Sequence, residues 1–286
     1  MKRKKLLVTL LISMILTLMI GCSGPTVKFG SIDINSTPAG ARVYLNGVDT
    51  GMGTPIIFTK EVGNYAVKLN KFNYKIWEGT VTVNANQATY INPYLTWAST
   101  ETVTLQPGSG GKDSDVNIYS PNIPNGNDTT LLIGYYFSAA GIQSMLRTYL
   151  QFGLDNVPGN ARIINANLKL NQYDQWGTGS FTAGLYQVTS GWEEDNITWE
   201  NQPTSSSKVE ASCTISAIAT GSNVWRTWDN IGDLVQGWLD GSIINYGMLL
   251  KDTDEELNNM VAGFLSSNYN SVPSERPKLE VNYYIP

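Results

Sequence analysis

Hydrophobic and polar residues along this chain alternate over short stretches instead of following a helical repeat. In "GSIDIN", Ile32 and Ile34 fall on one face of a strand and Asp33 falls on the other, because successive side chains of a β-strand point to opposite faces. Short runs rich in Val, Ile, Thr and Tyr recur between clusters of Gly, Pro, Asn and Ser. Long helical periodicity is nearly absent, so the pattern predicts an all-β protein.

The N-terminus breaks this alternation. Four basic residues at positions 2–5 precede an apolar run at 6–20, which is too short and too one-sidedly flanked for a membrane span and predicts a signal segment over 1–21. The run ends in "MIGC", which resembles the lipobox of bacterial lipoproteins, with Met19 where Leu is usual. The resemblance implies that Cys22 is lipidated and that residues 22–29 tether the protein to a membrane. A plain secretory signal, with Cys22 incidental, is the alternative.

Removal of this leader makes the chain strongly acidic. The leader carries four of the 19 Lys and Arg residues and none of the 24 Asp and Glu residues, which leaves a formal charge of −9. Such a chain has no bulk attraction for nucleic acid. Membrane attachment is therefore expected through lipid and not through a basic patch.

Histidine and cysteine usage narrows the possible chemistry further. The chain contains no histidine, which excludes Ser-His-Asp and Cys-His nucleophilic sites and His-ligated zinc. If Cys22 carries lipid, Cys213 has no partner and no disulfide framework exists. Its small and apolar neighbours favour a buried structural thiol.

Residues 30–95 form a first complete set of strand and turn signals. The stretch "ARVYLNG" predicts a strand that ends in the hairpin turn Asn46-Gly47. The set resembles a PEGA domain, with Ala39 in place of the usual Glu and Asn73 in place of the usual Gly. The matching pieces are Pro38, Gly40, Ala41, "VYLNG", Gly53-Thr54-Pro55 and Gly63-Asn64-Tyr65. The resemblance implies a small cell-surface β-sandwich without catalytic residues, and the polar residues 96–101 are predicted to be a linker.

Residues 102–286 carry a second series of motifs, which resembles the DNRLRE domain, also grouped with family-96-type carbohydrate-binding modules. The resemblance implies a jelly-roll-like β-sandwich with one short helix, and Asp229 or Asn230 is expected to cap that helix. Asn230 and Gly153 stand where the family has acids, so an ion held by those acids is in doubt here. The matching residues are Arg147, Phe152, Trp192, Glu193, Glu194, Thr198, Trp199, Asn201, Pro203, Trp238, Gly241, Asn245, Tyr246 and Gly247.

The stretch "GWEEDNITWENQP", residues 191–203, places three acids between two tryptophans. A glycosidase needs two carboxylates roughly 5–9.5 Å apart across one bond, but neighbours on an extended chain point to opposite faces. We therefore expect Glu193 and Glu194 to build a loop, and Trp192 and Trp199 to fill the sandwich core.

Two acidic stretches raise the question of calcium. "DSDVN" spaces Asp113, Asp115 and Asn117 like the start of an EF-hand loop, but Ile118 and Pro124 replace the required Gly and Glu, so the match fails. Residues 252–256 hold a second acid cluster, which is more typical of a solvated loop than of a metal site. The sequence does not decide whether a structural Ca²⁺ ion is bound, and it indicates no other cofactor.

Sugar binding requires exposed rings and nearby polar groups. Tyr173 and Trp176 in "NQYDQWGTGSF" are predicted to lie in a polar loop between two paired strands. Tyr135, with its neighbour Tyr136, forms a second aromatic pair. Arg147 and Arg226 could contact an acidic sugar. For each of these residues, packing or a structural hydrogen bond is the alternative.

The sequence thus predicts a non-catalytic, membrane-anchored surface lipoprotein that binds polysaccharide through its C-terminal sandwich. Relatives implicated in binding alginate-type polymers make a uronic acid polymer a candidate, although the acidic chain argues against it. A structural or adhesion protein with protein or peptidoglycan partners is the second hypothesis. An enzyme would require a deep cleft with two facing carboxylates.

Overall fold

A computed structural model describes residues 27–107, 111–139, 141–255 and 259–286 of the chain. The chain divides into two compact units between Thr96 and Trp97. Among the described residues, every helix is too short or too polar to cross a membrane. The predicted lipidation site, Cys22, lies outside the described residues.

The first unit consists of one mixed sheet and one antiparallel sheet. One is a 3-stranded sheet in the order β4-β1-β7, in which β1 and β7 run parallel, and the other is a 4-stranded sheet in the order β3-β2-β5-β6. The strands are β1 (Phe29–Ile34), β2 (Arg42–Leu45), β3 (Val48–Gly53), β4 (Ile56–Glu61), β5 (Gly63–Asn70), β6 (Trp77–Val83) and β7 (Ala88–Ile91).

The core of the first unit follows the predicted alternation. Ile32 and Ile34 are fully buried and pack with Val43, Leu69 and Val83 from the facing sheet. The turn between β2 and β3 has positive φ at both Asn46 and Gly47, as the right-handed twist of a two-residue hairpin requires. The predicted strand and turn at 42–47 are therefore confirmed.

The second unit is built on an 11-stranded sheet in the described residues. Its main path runs β14-β13-β16-β11-β10-β17-β12-β18-β8, with β15 paired to β12 and β9 paired to β11. The strands are β8 (Thr100–Leu105), β9 (Lys112–Asn117), β10 (Thr130–Phe137), β11 (Gln143–Gln151), β12 (Arg162–Gly177), β13 (Ser180–Val188), β14 (Ser205–Ser216), β15 (Val224–Trp228), β16 (Met248–Asp252), β17 (Met260–Leu265) and β18 (Lys278–Tyr284).

This sheet curls around a core because strand β11 changes partner along its length. Its N-terminal half pairs with β10, and its C-terminal half pairs with β16. The core between the two branches contains Phe152, Trp228 and Phe264, and the indole Nε1 of Trp228 donates to the carbonyl of Ala183 at 2.8 Å. The all-β fold class is confirmed, and the curled sheet is consistent with a sandwich.

One helix, α1 (Gly232–Asp240), covers an edge of this core, and a 3-10 turn lies at Pro273–Glu275. Leu234, Val235 and Trp238 of α1 are buried. The helix ends at Gly241 with φ of 75°, a left-handed conformation that glycine adopts without steric cost. The predicted N-cap is wrong, because Ile231 occupies that position and no side chain caps the helix.

The segment between the units is shorter than predicted from sequence. Strand β8 begins at Thr100 and pairs with β18, so the last residues of the predicted 96–101 linker belong to the sheet.

Candidate functional site

Five neighbouring strands of the second unit present a continuous face on the side opposite the core. A row of cross-strand partners runs from Trp176 through Val261, Gly134 and Leu146 to Asn117. Directly paired residues carry their side chains on the same face of a sheet. The intervening residues of β10 and β17 point into the core, so this row points away from it.

A cavity of about 270 Å³ opens on this face. Trp176 and Tyr136 supply rings, and the amide of Asn117 and the hydroxyl of Ser144 supply polar groups. The aliphatic floor consists of Leu132, Leu146 and Val261. We call these seven lining residues the open face. Rings beside hydrogen-bonding groups over an apolar floor match what a ligand with both apolar and hydroxylated surfaces requires.

Trp176 reaches the open face because strand β12 contains a β-bulge. Leu168 and Leu170 point into the core, and Gln172 pairs with the core residue Phe264. Strict alternation from these residues would point Trp176 inward as well. The register shifts between Gln172 and Asp174, and one extra residue reverses the facing of everything after it. Trp176 is therefore 46% exposed on the outer side.

Gly134 keeps the middle of the face free of side chains. It has φ of 130°, and a Cβ added there would collide with the carbonyl oxygen of Met260. A side chain at this position is thus sterically excluded. The floor between the rings of Trp176 and Tyr136 stays open as a result.

Tyr173 is the extra residue of the bulge, and it supports the face from the side. A Cβ added at Gly263 would lie 3.3 Å from Cε1 of Tyr173, so the ring covers that glycine. Burial raises the pKa of Tyr173 above its ordinary value, and the nearby side chain of Thr130 opposes this shift. The predicted loop at Tyr173 and Trp176 is wrong, since both residues belong to β12.

In the second predicted aromatic pair, the residue on the open face is Tyr136 and not Tyr135. Tyr135 is only 9% exposed and turns toward the interior, whereas Tyr136 lines the cavity. The apolar alternation in "TLLIGYYF" could have separated the two residues, because Leu131 and Ile133 share the face of Tyr135. The aliphatic floor residues carried no sequence signal of their own.

Arg147 does not line the open face, and its guanidinium binds neighbouring side chains. Its Nε and Nη2 donate to the two carboxylate oxygens of Glu255 at 2.7 and 2.9 Å, and its Nη1 donates to Gln202 at 3.0 Å. Its guanidinium lies 4.6 Å from the ring centroid of Trp199. Burial alone would raise the pKa of Glu255, but hydrogen bonds and charges from Arg147 and Lys251 outweigh burial and lower it.

The acids of residues 191–203 build a loop over another part of the sheet. The carbonyl of Glu193 accepts from the backbone N–H of Asn196 and of Ile197, and Oε1 of Glu194 accepts from the N–H of Asp113 at 2.9 Å. The two side chains bind different partners, because Glu193 pairs with Lys112 at 3.2 Å. These contacts agree with the prediction that Glu193 and Glu194 build a loop.

The loop holds its two tryptophans differently. Trp192 is 7% exposed and packs with Tyr149 and Tyr186, and its Nε1 donates to the carbonyl of Tyr246 at 2.9 Å. Trp199 packs against the same cluster but is only half-buried. Trp192 fits the predicted core role, and Trp199 fits it in part.

Two buried carboxylates lie on β9 on the same side as Asn117. Both oxygens of Asp113 accept from Ser267, from its N–H and its hydroxyl, each at 2.7 Å, and Oδ2 of Asp115 accepts from Asn125 at 3.1 Å. Burial raises the pKa of Asp113 to about 6 and that of Asp115 to about 7.

The described residues offer no arrangement of three or more acidic, histidine or cysteine side chains that could hold a metal ion together. In the predicted 252–256 cluster, Glu255 is occupied by Arg147 and Lys251, and residue 256 lies outside the described part. We assign no calcium site.

The second unit is a curled all-β module with a ring-bearing face on the side opposite its core. Residues 101–283 match the model of carbohydrate-binding module family 96, and the chain belongs to this family. Residues 29–97 match the model of the PEGA domain. Modules of these two kinds are typically non-catalytic. No curated protein matches the chain.

Proposed function

We propose that this protein is a non-catalytic, lipid-anchored protein of the cell envelope whose second unit binds polysaccharide on the open face. The observation that carries the proposal is the cavity between Trp176 and Tyr136, which combines two rings with the polar side chains of Asn117 and Ser144. A pyranose ring offers apolar C–H faces and equatorial hydroxyls, and such a lining complements both.

The geometry supports binding along the sheet. The row from Trp176 to Asn117 crosses five strands, and strands lie about 4.8 Å apart, so it extends about 19 Å. A surface of this length suits a short run of sugar units in a chain better than a single monosaccharide. We infer a polymer ligand held with one sugar face on the rings.

Lipid anchoring rests on the sequence of the leader and its lipobox at Cys22. An anchored chain would hold the open face at the cell surface, where polysaccharide is available.

The test is substitution of Trp176 with a matched control on another surface of the same unit. Trp176→Ala should weaken retardation in polysaccharide-loaded native gels by about 2- to 13-fold, which corresponds to the loss of one aromatic contact of about 0.5–1.5 kcal/mol. Trp225→Ala is the control, because Trp225 is similarly exposed but lies under Lys278 on β15 and not on the open face.

Thermal unfolding of both variants should stay close to that of the wild type, since each removes an exposed ring. Equal binding by wild type and Trp176→Ala would refute the open face as the site. Retardation lost only in Trp225→Ala would move the site to the surface around β15.

A further inference from the structure

We propose that the open face selects an uncharged polysaccharide and discriminates against uronic acid polymers. This inference rests on the proposed function and narrows its ligand class. The argument starts from the lining, which contains aromatic, aliphatic, amide and hydroxyl groups and none of the basic side chains of the described chain. A bound carboxylate would lose its hydration without gaining a cation, and that loss is unfavourable.

An exposed carboxylate lies on this face. Asp174 lies two residues before Trp176 and pairs with Gly263, which pairs in turn with the lining residue Leu132. Register therefore places Asp174 on the same face as the cavity. Its carboxylate is exposed and can accept hydrogen bonds from sugar hydroxyls, but it repels a uronate at short range.

Two arginines of the second unit make hydrogen bonds within the unit. Arg147 is held by Glu255 and Gln202. Arg226 donates to Gln172 and to the carbonyl of Ser216, each at 2.7 Å.

The two remaining arginines also lie outside the cavity lining. Arg276 donates to the carbonyl of Tyr269 and to Asn270. Arg162 is the first residue of β12, at the opposite end of that strand from Trp176.

The lysines are placed in a similar way. Lys112, Lys169 and Lys251 each pair with a carboxylate, at 3.2, 2.7 and 2.9 Å. Lys208 pairs with Glu210, and Lys278 lies 4.3 Å from the ring centroid of Trp225. A uronate on the open face would thus find no basic partner without rearrangement of the unit, whereas a neutral sugar needs none.

The experiment compares neutral and uronate polymers in native gels loaded with galactomannan, xyloglucan, alginate or polygalacturonate, at low and at high salt. We expect at least one neutral polymer to retard the wild type equally at low and at high salt. The same polymer should retard Trp176→Ala less. We expect the uronate polymers to retard the wild type at least 10-fold less.

A charge reversal supplies the gain-of-function arm. Asp174→Lys should create retardation by the uronate polymers at low salt, and this retardation should fade at high salt because exposed charges are screened. Asp155→Lys is the matched control for net charge, since Asp155 is exposed in the loop between β11 and β12, outside the strands of the open face. It should leave uronate binding unchanged.

Three outcomes would overturn the inference, and they separate it from the proposed function. Tight uronate binding that requires Trp176 would keep the site and refute its preference for neutral chains. Tight uronate binding that ignores Trp176 would refute both. Failure of every neutral polymer to retard the wild type would refute the preference, and failure of all four polymers would refute polysaccharide binding as well.

Discussion

Trp192 and Trp199 show how two similar residues in one loop acquire different roles. Both precede a short polar stretch and both contact the cluster around Tyr149. Trp192 inserts into that cluster, with its ring centroid 5.9 Å from the ring of Tyr149. Trp199 lies nearer the surface and stacks under the guanidinium of Arg147.

We predict that Trp192→Ala costs about 3–5 kcal/mol of unfolding free energy, as truncation of a buried tryptophan typically does. Trp199→Ala should cost less, about 1–2 kcal/mol, because a half-exposed ring loses less buried apolar area. The loss of one cation–π contact is included in this value. Urea unfolding of the two variants would measure both values. A cost for Trp199→Ala equal to that for Trp192→Ala would mean that Trp199 is a full core residue.

At the scale of elements, strand β9 is unusual because it carries two buried acids. Asp113 and Asp115 are almost inaccessible, and burial raises the pKa of both carboxyl groups. The folded state therefore keeps their protons to higher pH than the unfolded chain, whose aspartates ionise near 3.9. The contribution of these two carboxyl groups to the free energy of unfolding is present in full below about pH 4. It falls as the pH rises to about 7 and is constant above that.

We predict that Asp115→Asn reduces this loss of stability. The amide oxygen can still accept the hydrogen bond from Asn125, and it never ionises. Relative to wild type, the variant should gain up to about 4 kcal/mol of stability as the pH rises from 4 to 8, since the pKa of Asp115 is raised by about three units, to about 7, and one unit corresponds to about 1.4 kcal/mol.

Chemical denaturation at several pH values would measure the gain. Asp155→Asn is the control, because it removes an exposed carboxylate and leaves the buried ones in place. A stability difference between wild type and Asp115→Asn that stays constant from pH 5 to pH 8 would contradict the prediction.

Strand β12 carries the other decisive element, its bulge. The strand is 16 residues long, and its single extra residue at Tyr173 reverses the facing of the C-terminal part. The same bulge turns Asp174 outward. The presence of both Trp176 and Asp174 on this side of the sheet therefore depends on one local irregularity.

At the scale of the whole molecule, the two units are joined in one chain whose leader predicts a lipid anchor. We predict that Cys22→Ala releases the protein from membranes, because the chain after the leader carries a formal charge of −9 and has no bulk electrostatic attraction to an anionic membrane surface. Fractionation and labelling with a fatty-acid analogue would test this. Cys213→Ala is the matched control, since Cys213 is the other cysteine and lies within β14; it should keep both label and membrane association. Retention of the Cys22→Ala protein by membranes would contradict the anchor.

The sequence by itself determined the all-β class, the turn at Asn46-Gly47, the short helix before Gly241 and the structural use of Glu193 and Glu194. These features depend on local alternation, on backbone conformations that few residues accept, and on motifs that are contiguous in the chain. The sequence also predicted that Trp176 contacts sugar, because its polar neighbours in the chain argued against a core position.

Only the tertiary structure decided which residues share a face. The open face gathers Asn117, Tyr136, Leu146, Trp176 and Val261 from five strands spread between residues 112 and 265, and strand pairing brings their side chains to one side of the sheet. A one-residue bulge sets the facing of Trp176, and no alternation pattern reports it. The pairing of Arg147 is a second example: its partner Glu255 lies 108 positions away in the chain, and the sequence alone does not show that the two side chains meet.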